Sequence, residues 1–409
     1  MTGESPSIEP NPQALYAQRR RVELLRQQVF AQEDPEKSAP LMADLLAAEE
    51  ALIRLEQAGA MQEPGPDQGL LYNSVVERGA ALPESMGKDT TRVETKIYLR
   101  LSHVPTGIVH LMDGQEKPLV SVMIDNVGRQ IARLRVTSCV ENYSATAVDT
   151  LELFPGQKNK EVKQLPVFFI ERLRQIKEIT RASLRVHVQH LSGETEMERT
   201  FPIWLLARTT AYLKVNDPQT GRAVDLTPYL AAWVTPNAPQ VMDLLRRAAD
   251  LHPQKQIAGY QVGEAGVEAQ VKAIFEAVKQ EQLQYVNSVF CFGRAGGEFM
   301  QRIRLPRETL KHHSANCIDG TILMASVLEA ASLNPAIVLV PGHAFLAWET
   351  LDGSDTWDYL ETTLISTKTF EEAQQVGRSR AERYRTKGQM LRLLSIPALR
   401  VDDQVLPME

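Results

Sequence analysis

The chain has 409 residues, 43% hydrophobic and 23% charged, with a formal net charge of −6. This is the balance of a globular protein with room for two or three domains, and its acidic sign and scattered Lys and Arg argue against a nucleic-acid partner. Its three cysteines (Cys139, Cys291, Cys317) cannot all pair, no stretch nears the roughly 20 apolar residues of a membrane span, and MTGESPSIEPNP lacks a signal pattern, so a cytoplasmic protein without membrane contact is expected.

Residues 12–58 read as a helical hairpin. Leu15, Val22, Leu25 and Val29 recur at spacings of 3, 4 or 7, and after the break EDPEKSAP the stripe resumes with Leu41, Leu45, Ala48, Leu52 and Leu55. A seam so short and poor in aromatics is expected to need a neighbour or a protein partner, which defines a first domain over 1–58. Residues 59–92, rich in Gly, Pro and charge, read as linker.

From 93 to 213 the apolar period changes to 2. TKIYLRLSH, LVSVMIDN, IARLRVTSCV, VDTLELF, LPVFF, ASLRVHVQHL, TFPIWLLA and TAYLKV are the candidate strands. In LRVHVQ, Leu184, Val186 and Val188 face one way and Arg185, His187 and Gln189 the other, as in a half-solvated antiparallel sheet. About seven short strands separated by turn signals predict an immunoglobulin-like β-sandwich, interrupted by one helical patch, IERLRQIKEITR. His187 and His190 are placed on the polar face, and Cys139 is read as a buried structural thiol. A connector over 214–263, with Pro at 218, 228, 236 and 239, leads through a helix near 240–251 to a last domain, 264–409. That domain opens on a one-sided helix carrying Val267, Val271, Ile274, Phe275 and Val278.

The chemistry-bearing residues lie in this last domain. From Ile318 to Ala331 the chain has helix formers and no proline, and SLNP ends the run. Its apolar residues cover more than one stripe, so the helix is expected to be buried on most sides. Ser314 or Asn316 is a candidate cap and Asp319 stands in the first turn, which leaves Cys317 at the helix start. Free N–H groups there stabilise a thiolate and lower a cysteine pKa from about 8.5 to about 3.5–7.5 beside a cationic imidazole. The same groups suit the oxyanion of an acyl transfer. After the helix, AIVLV reads as a buried strand, PG breaks it, and HAFLAWETL continues extended with His343 first. An imidazole opening the strand after a cysteine-bearing helix is placed to reach the thiol.

Two carboxylates on the return strand compete to orient that imidazole, Asp358 and Glu361. If the strands pair about DGSD with a loop of about two to four residues, Glu361 falls opposite a residue between Ala344 and Leu346. Asp358 then falls opposite one between Ala347 and Glu349. At about 3.3 Å per residue, Asp358 lies roughly 13–20 Å along the sheet from His343 and Glu361 roughly 3–10 Å. Glu361 is within reach of the ring and Asp358 is not.

NCIDGTILMASVLEAASLNPAIVLVPGHAFLAWE and the following WDYLETT resemble the core of the transglutaminase-like superfamily, a papain-like fold of cysteine peptidases, deamidases and acyl transferases. In that pattern a cysteine opens the central helix, and a histidine begins a strand before a small residue and an aromatic, as in His343–Ala344–Phe345. An acidic residue then follows a tryptophan and a leucine, here Trp357 and Leu360. That acid is usually aspartate; the matching residue in this chain is Glu361. The resemblance covers residues 265–370 and does not extend to the hairpin or the strands. It implies a multidomain α+β protein whose helical hairpin and immunoglobulin-like sandwich precede a transglutaminase-like domain with the catalytic residues Cys317, His343 and Glu361. By the same resemblance a side-chain donor upstream of the cysteine assists the oxyanion, and Gln301 in MQRIRLP is the candidate. Cys291, in FCFG, is read as buried.

His312, His313, Cys317 and His343 also raise the question of a metal, but His–His–x3–Cys is not a zinc spacing and a second cysteine is missing. No metal and no cofactor are expected. The expected activity is hydrolysis of a protein or peptide substrate, because no calcium-loop pattern of the cross-linking members is present. The alternatives are a deamidase or transamidase, or a catalytically inactive scaffold that recruits protein partners through the hairpin and the sandwich.

Overall fold

The structure, a computed structural model, describes residues 76–78, 92–216, 223–286, 299–387 and 391–408, with isolated positions between 17 and 51. The protein is α+β and divides into two compact units. One comprises Pro66–Tyr229 with Phe290–Arg302, the other Met1–Gly65, Leu230–Val289 and Ile303–Glu409.

The first unit is built from strands: β1 (Val76–Arg78), β2 (Val93–Leu99), β3 (His103–Val104), β4 (Val120–Asn126), β5 (Ala132–Val140), β6 (Ala147–Leu153), β7 (Lys160–Gln164), β8 (Thr180–His190), β9 (Thr195–Leu205), β10 (Thr210–Asn216), β11 (Ala223–Asp225) and β13 (Phe299–Arg302). They form a sheet of order β1-β2-β4-β7, a second of order β3-β9-β8-β5-β6, and a small one of order β11-β10-β13. All pairings are antiparallel except that of β3 with β9. The alternation in the sequence explains how the two large sheets share one core. Leu184, Val186 and Val188 are fully buried in one cluster with Ile97, Val122, Leu134 and Val136, while Arg185 and its odd-numbered neighbours face outward.

Several expectations differ in detail. LPVFF is not a strand; β7 lies just before it, because Pro166 has no N–H for a ladder and the chain instead bonds a turn, Ala145 N to Val167 O and Phe169 N to Tyr143 O. The predicted helix IERLRQIKEITR shrinks to α1 (Ile170–Leu173), since its other stripe residues are not all covered: Ile179 is 47% exposed, and Thr180 already opens β8. His190 has the parity of Leu184 and is buried on the inner face, with Nε2 3.4 Å from Glu196 Oε2; His187 does face outward. Cys139 has the outward parity and is half-buried rather than buried. Strand β1 falls within the predicted linker, and β10 joins the small sheet rather than the large ones.

The second unit carries α2 (Pro239–Leu251), α3 (Gly263–Gln280), β12 (Gln284–Tyr285), α4 (Pro306–His312), β14 (Ser314–Ala315), α5 (Cys317–Ala330), β15 (Pro335–Val340), β16 (His343–Glu349), β17 (Trp357–Leu360), α6 (Phe370–Thr386), β18 (Arg392–Ser395) and α7 (Ile396–Val401). Pairing of β12 with β14 is parallel. The main sheet, of order β17-β16-β15-β18, is antiparallel throughout. Helix α5 is the centre of this unit: residues 318–328 are all buried, as its all-round apolar composition predicts. It packs on β15 and β16 and touches α2, α3 and α4, whereas α6 packs on β17. Val338, Val340, Phe345, Ala347 and Tyr359 form a cluster with Ala381 and Tyr384 of α6, which identifies the sheet face that α6 covers.

Most of the predicted hairpin lies outside the described residues. Its described positions are helical, Val22 and Ala48 of the stripe are buried, and Gln18 Nε2 donates to Ala48 O at 2.8 Å. Cys291 also lies outside the described residues. Among the described residues no helix is long and apolar enough to cross a membrane.

Candidate active site

Cys317 is the first residue of α5, directly after its N-cap. Asn316 is the cap: its backbone is extended, and its Oδ1 accepts from Asp319 N at 2.8 Å while Asp319 Oδ2 accepts from Asn316 N at 3.3 Å. Asp319 also accepts from Arg304 N at 2.7 Å and Arg304 Nη1 at 2.9 Å. Burial raises the Asp319 carboxyl above its ordinary value, with the Arg304 contacts opposing that rise. Its charge is thus spent on the cap and on Arg304. The Cys317 carbonyl accepts from Thr321 Oγ1 at 2.7 Å and Thr362 Oγ1 at 3.4 Å, and the two hydroxyls lie 3.0 Å apart. These bonds tie the first turn of α5 to the stretch that follows β17.

His343 is the first residue of β16, where Gly342 precedes it at φ 74°, a conformation that only glycine adopts without strain. Leu346 pairs with Leu360 and Trp348 with Asp358, so continuing the register sets Glu361 beside Phe345. His343 is two residues from Phe345 on the same face, which makes His343 and Glu361 diagonal neighbours across the pair. Their side chains meet: His343 Nε2 is 2.8 Å from Glu361 Oε2, both almost fully buried. Phe345 stacks on the imidazole with a centroid distance of 6.2 Å.

With Nε2 engaged, Nδ1 is the nitrogen left to face the thiol. It is buried and has no hydrogen-bond partner among the described residues, while the Cys317 side chain is one of the groups that favour protonation of the imidazole. Burial is the largest single influence and disfavours the imidazolium, with Arg380 acting in the same direction, but the Glu361 charge together with hydrogen bonding to Cys317 and Glu361 raises His343 above its ordinary value.

Glu361 is held on both oxygens. Oε1 accepts from Thr363 Oγ1 at 2.7 Å and Thr363 N at 3.1 Å; Oε2 faces His343 and, at 3.3 Å, Nε of the buried Arg380. Burial works to raise this carboxyl, yet His343, Arg380 and the hydrogen bonds hold it well below the usual carboxylate range. Asp358 has other work: Arg378 grips both its oxygens, at 2.7 and 2.5 Å, and Gln374 Nε2 donates at 2.9 Å. The hairpin loop is one residue longer than DGSD, because Thr350 N donates to Thr356 O, yet Asp358 and Glu361 fall within the registers that the shorter loop predicts.

Gln301 sits on β13 in the strand unit, opposite Ala211, with Nε2 donating to Arg302 O at 3.2 Å. His312 ends α4 and is exposed; His313 follows it at φ 46° with Nδ1 2.9 Å from Glu281 O. Among the described residues no three His, Cys, Asp or Glu side chains stand where they could share a metal ion. Neither Cys139 nor Cys317 is in a disulfide.

Arg380, Thr362 and Thr363 have no counterpart among the predicted site residues. The two threonines follow Glu361 directly; Thr363 donates to that acid, whereas the Thr362 hydroxyl bonds the Cys317 carbonyl and Thr321. Arg380 is one of four arginines in RSRAERYR, and nothing local sets it apart. The available signal was Gly377 in mid-helix, which marks a close approach: a Cβ there would lie 2.7 Å from both Leu360 N and Tyr359 C. No protein-family model matches the chain, and none of the curated proteins does.

Proposed function

We infer that the protein is a transglutaminase-like cysteine hydrolase acting on protein or peptide substrates through Cys317, His343 and Glu361. The observation that carries this reading is the buried His343 imidazole, bonded through Nε2 to Glu361, with Cys317 at a helix start among the groups that favour its protonation. In the reaction the Cys317 thiol gives its proton to His343 Nδ1, and the sulfur attacks a carbonyl carbon. Collapse of the tetrahedral adduct breaks the C–N bond, the imidazolium protonates the leaving amine, and a thioester remains. Water, deprotonated by His343, then attacks the thioester and releases the acid and the thiol. Glu361 holds the ring in one tautomer and stabilises the imidazolium. Free N–H groups of the α5 start are suitable donors for the oxyanion.

The finer fold reading belongs to the same proposal. A transglutaminase-like core is supported by the buried α5 on an antiparallel sheet whose second strand begins with His343. An immunoglobulin-like strand unit is supported by the order β2-β4-β7 facing β3-β9-β8-β5-β6 across one core, with the short parallel β3–β9 pair. The hairpin and strand unit serve partner binding or regulation in this scheme, and cysteines outside disulfides suit a reducing cytoplasm.

The test is a complex peptide library incubated with the full chain and read by mass spectrometry for new termini and for the mass change of deamidation. Cleavage or deamidation that vanishes in Cys317→Ala supports the reading, and new termini select the peptidase. A library left identical by wild type and Cys317→Ala, with Cys317 shown to be reactive, contradicts it.

A further inference from the structure

One buried charge in the unit has no part in the reaction as written. Arg380 is 6% exposed, on the α6 face of the sheet, and its Nε lies 3.3 Å from the same Glu361 oxygen that bonds His343. An isolated guanidinium is costly to bury, so its place needs compensation, and Glu361 supplies a negative charge there. The helix is brought there by Gly377, whose missing Cβ lets α6 lie against the Tyr359–Leu360 backbone one turn before Arg380.

We propose that Arg380 is a positioning residue of this site, holding Glu361 Oε2 beside His343 and supplying the positive charge that balances the buried cluster. The proposal rests on the Cys317–His343–Glu361 reading. The groups that act on His343 by charge or by hydrogen bond are Cys317 from α5, Glu361 from the end of β17 and Arg380 from α6. With a neutral thiol and a neutral ring, Glu361 and Arg380 sum to zero. With thiolate and imidazolium the four groups sum to zero again. Proton transfer from sulfur to ring thus leaves the net charge of the buried cluster unchanged and neutral, whereas without Arg380 the cluster carries one negative charge in both states. That surplus charge would oppose a thiolate and the oxyanion that follows it. It would also bind the imidazole proton more tightly, leaving a poorer acid for the leaving amine.

The experiment is an NMR titration of the full chain labelled with ¹⁵N-histidine, with the His343 signals assigned by their loss in His343→Gln. The Cys317–His343 reading is tested first and separately: Cys317→Ala lowers the His343 midpoint, and an unchanged midpoint would overturn that reading whatever Arg380 does. Against wild type, Arg380→Gln is expected to raise the midpoint by about one pH unit and Arg380→Lys to stay within about 0.3 unit. An unmoved midpoint in a folded Arg380→Gln overturns the proposal while leaving the Cys–His pair standing. If Arg380→Gln lacks a cooperative thermal transition, Arg380→Lys decides: a midpoint near wild type supports the charge role, and one raised by about a unit contradicts it.

Discussion

Glu361 Oε2 accepts at once from His343 Nε2, at 2.8 Å, and faces Arg380 Nε, at 3.3 Å, so one carboxylate oxygen joins a strand to a helix in a buried site. Replacing Glu361 by Gln keeps the shape, removes the charge and leaves Arg380 buried without its carboxylate. We expect Glu361→Gln to lower stability by about 3 kcal/mol and peptide turnover by roughly 10²–10⁴-fold. Urea unfolding and initial rates on a peptide identified by the library measure the two effects.

The same pair predicts a pH window for stability. Glu361 is depressed below its ordinary 4.5 on folding, so its contribution is present above that value and is lost as pH falls towards the folded pKa. His343 is raised above its ordinary 6.5, so its contribution is full below that value and is lost as pH rises through the folded pKa. The pair therefore stabilises most between about pH 5 and 6.5. Urea midpoints of wild type and His343→Gln should differ most in that window and converge above it. A difference that grows from pH 6.5 to pH 9 would oppose the sign.

Gly377 offers a steric test without touching a charge. A methyl group there meets backbone atoms of Leu360 and Tyr359 at 2.7 Å, and backbone cannot swing aside as a side-chain tip would. Gly377→Ala is expected to cost about 1–3 kcal/mol through displacement of α6, outweighing the gain in helix propensity. Thermal unfolding reads it, and a stabilised Gly377→Ala would refute the close approach.

At the start of α5, Asn316→Ala removes the side-chain cap on Asp319 N, and about 1 kcal/mol of stability is expected to go with it. Asn316→Asp keeps an acceptor at that position and should retain most of the stability. Equal losses in the two variants, measured by urea unfolding, would show that the cap bond is not what stabilises the turn.

Much of the site's geometry was legible because it rests on local rules. The candidate caps Ser314 and Asn316, with the absence of proline over 318–331, located the start of α5, the Pro–Gly break located the start of β16, and strand spacing favoured Glu361 over Asp358. The alternation in β8 likewise predicted its buried face, although His190 was assigned to the wrong side of that same alternation. What escaped was non-local. Strand β7 has few apolar residues and is recruited by pairing with β4, and 299–302 pairs with β10 from a distant part of the chain. Arg380 was hidden because the phase of α6 against the sheet depends on packing at Gly377, which no helical period reveals.

The most direct test of the central claim is the pH dependence of thiol alkylation, read by mass spectrometry at Cys317 with Cys139 as internal reference. The account predicts that Cys317 is labelled well ahead of Cys139 near pH 6 and that His343→Ala abolishes this lead. Labelling of Cys317 no faster than Cys139 across about pH 5–9, or a lead unaffected by His343→Ala, would contradict an activated cysteine.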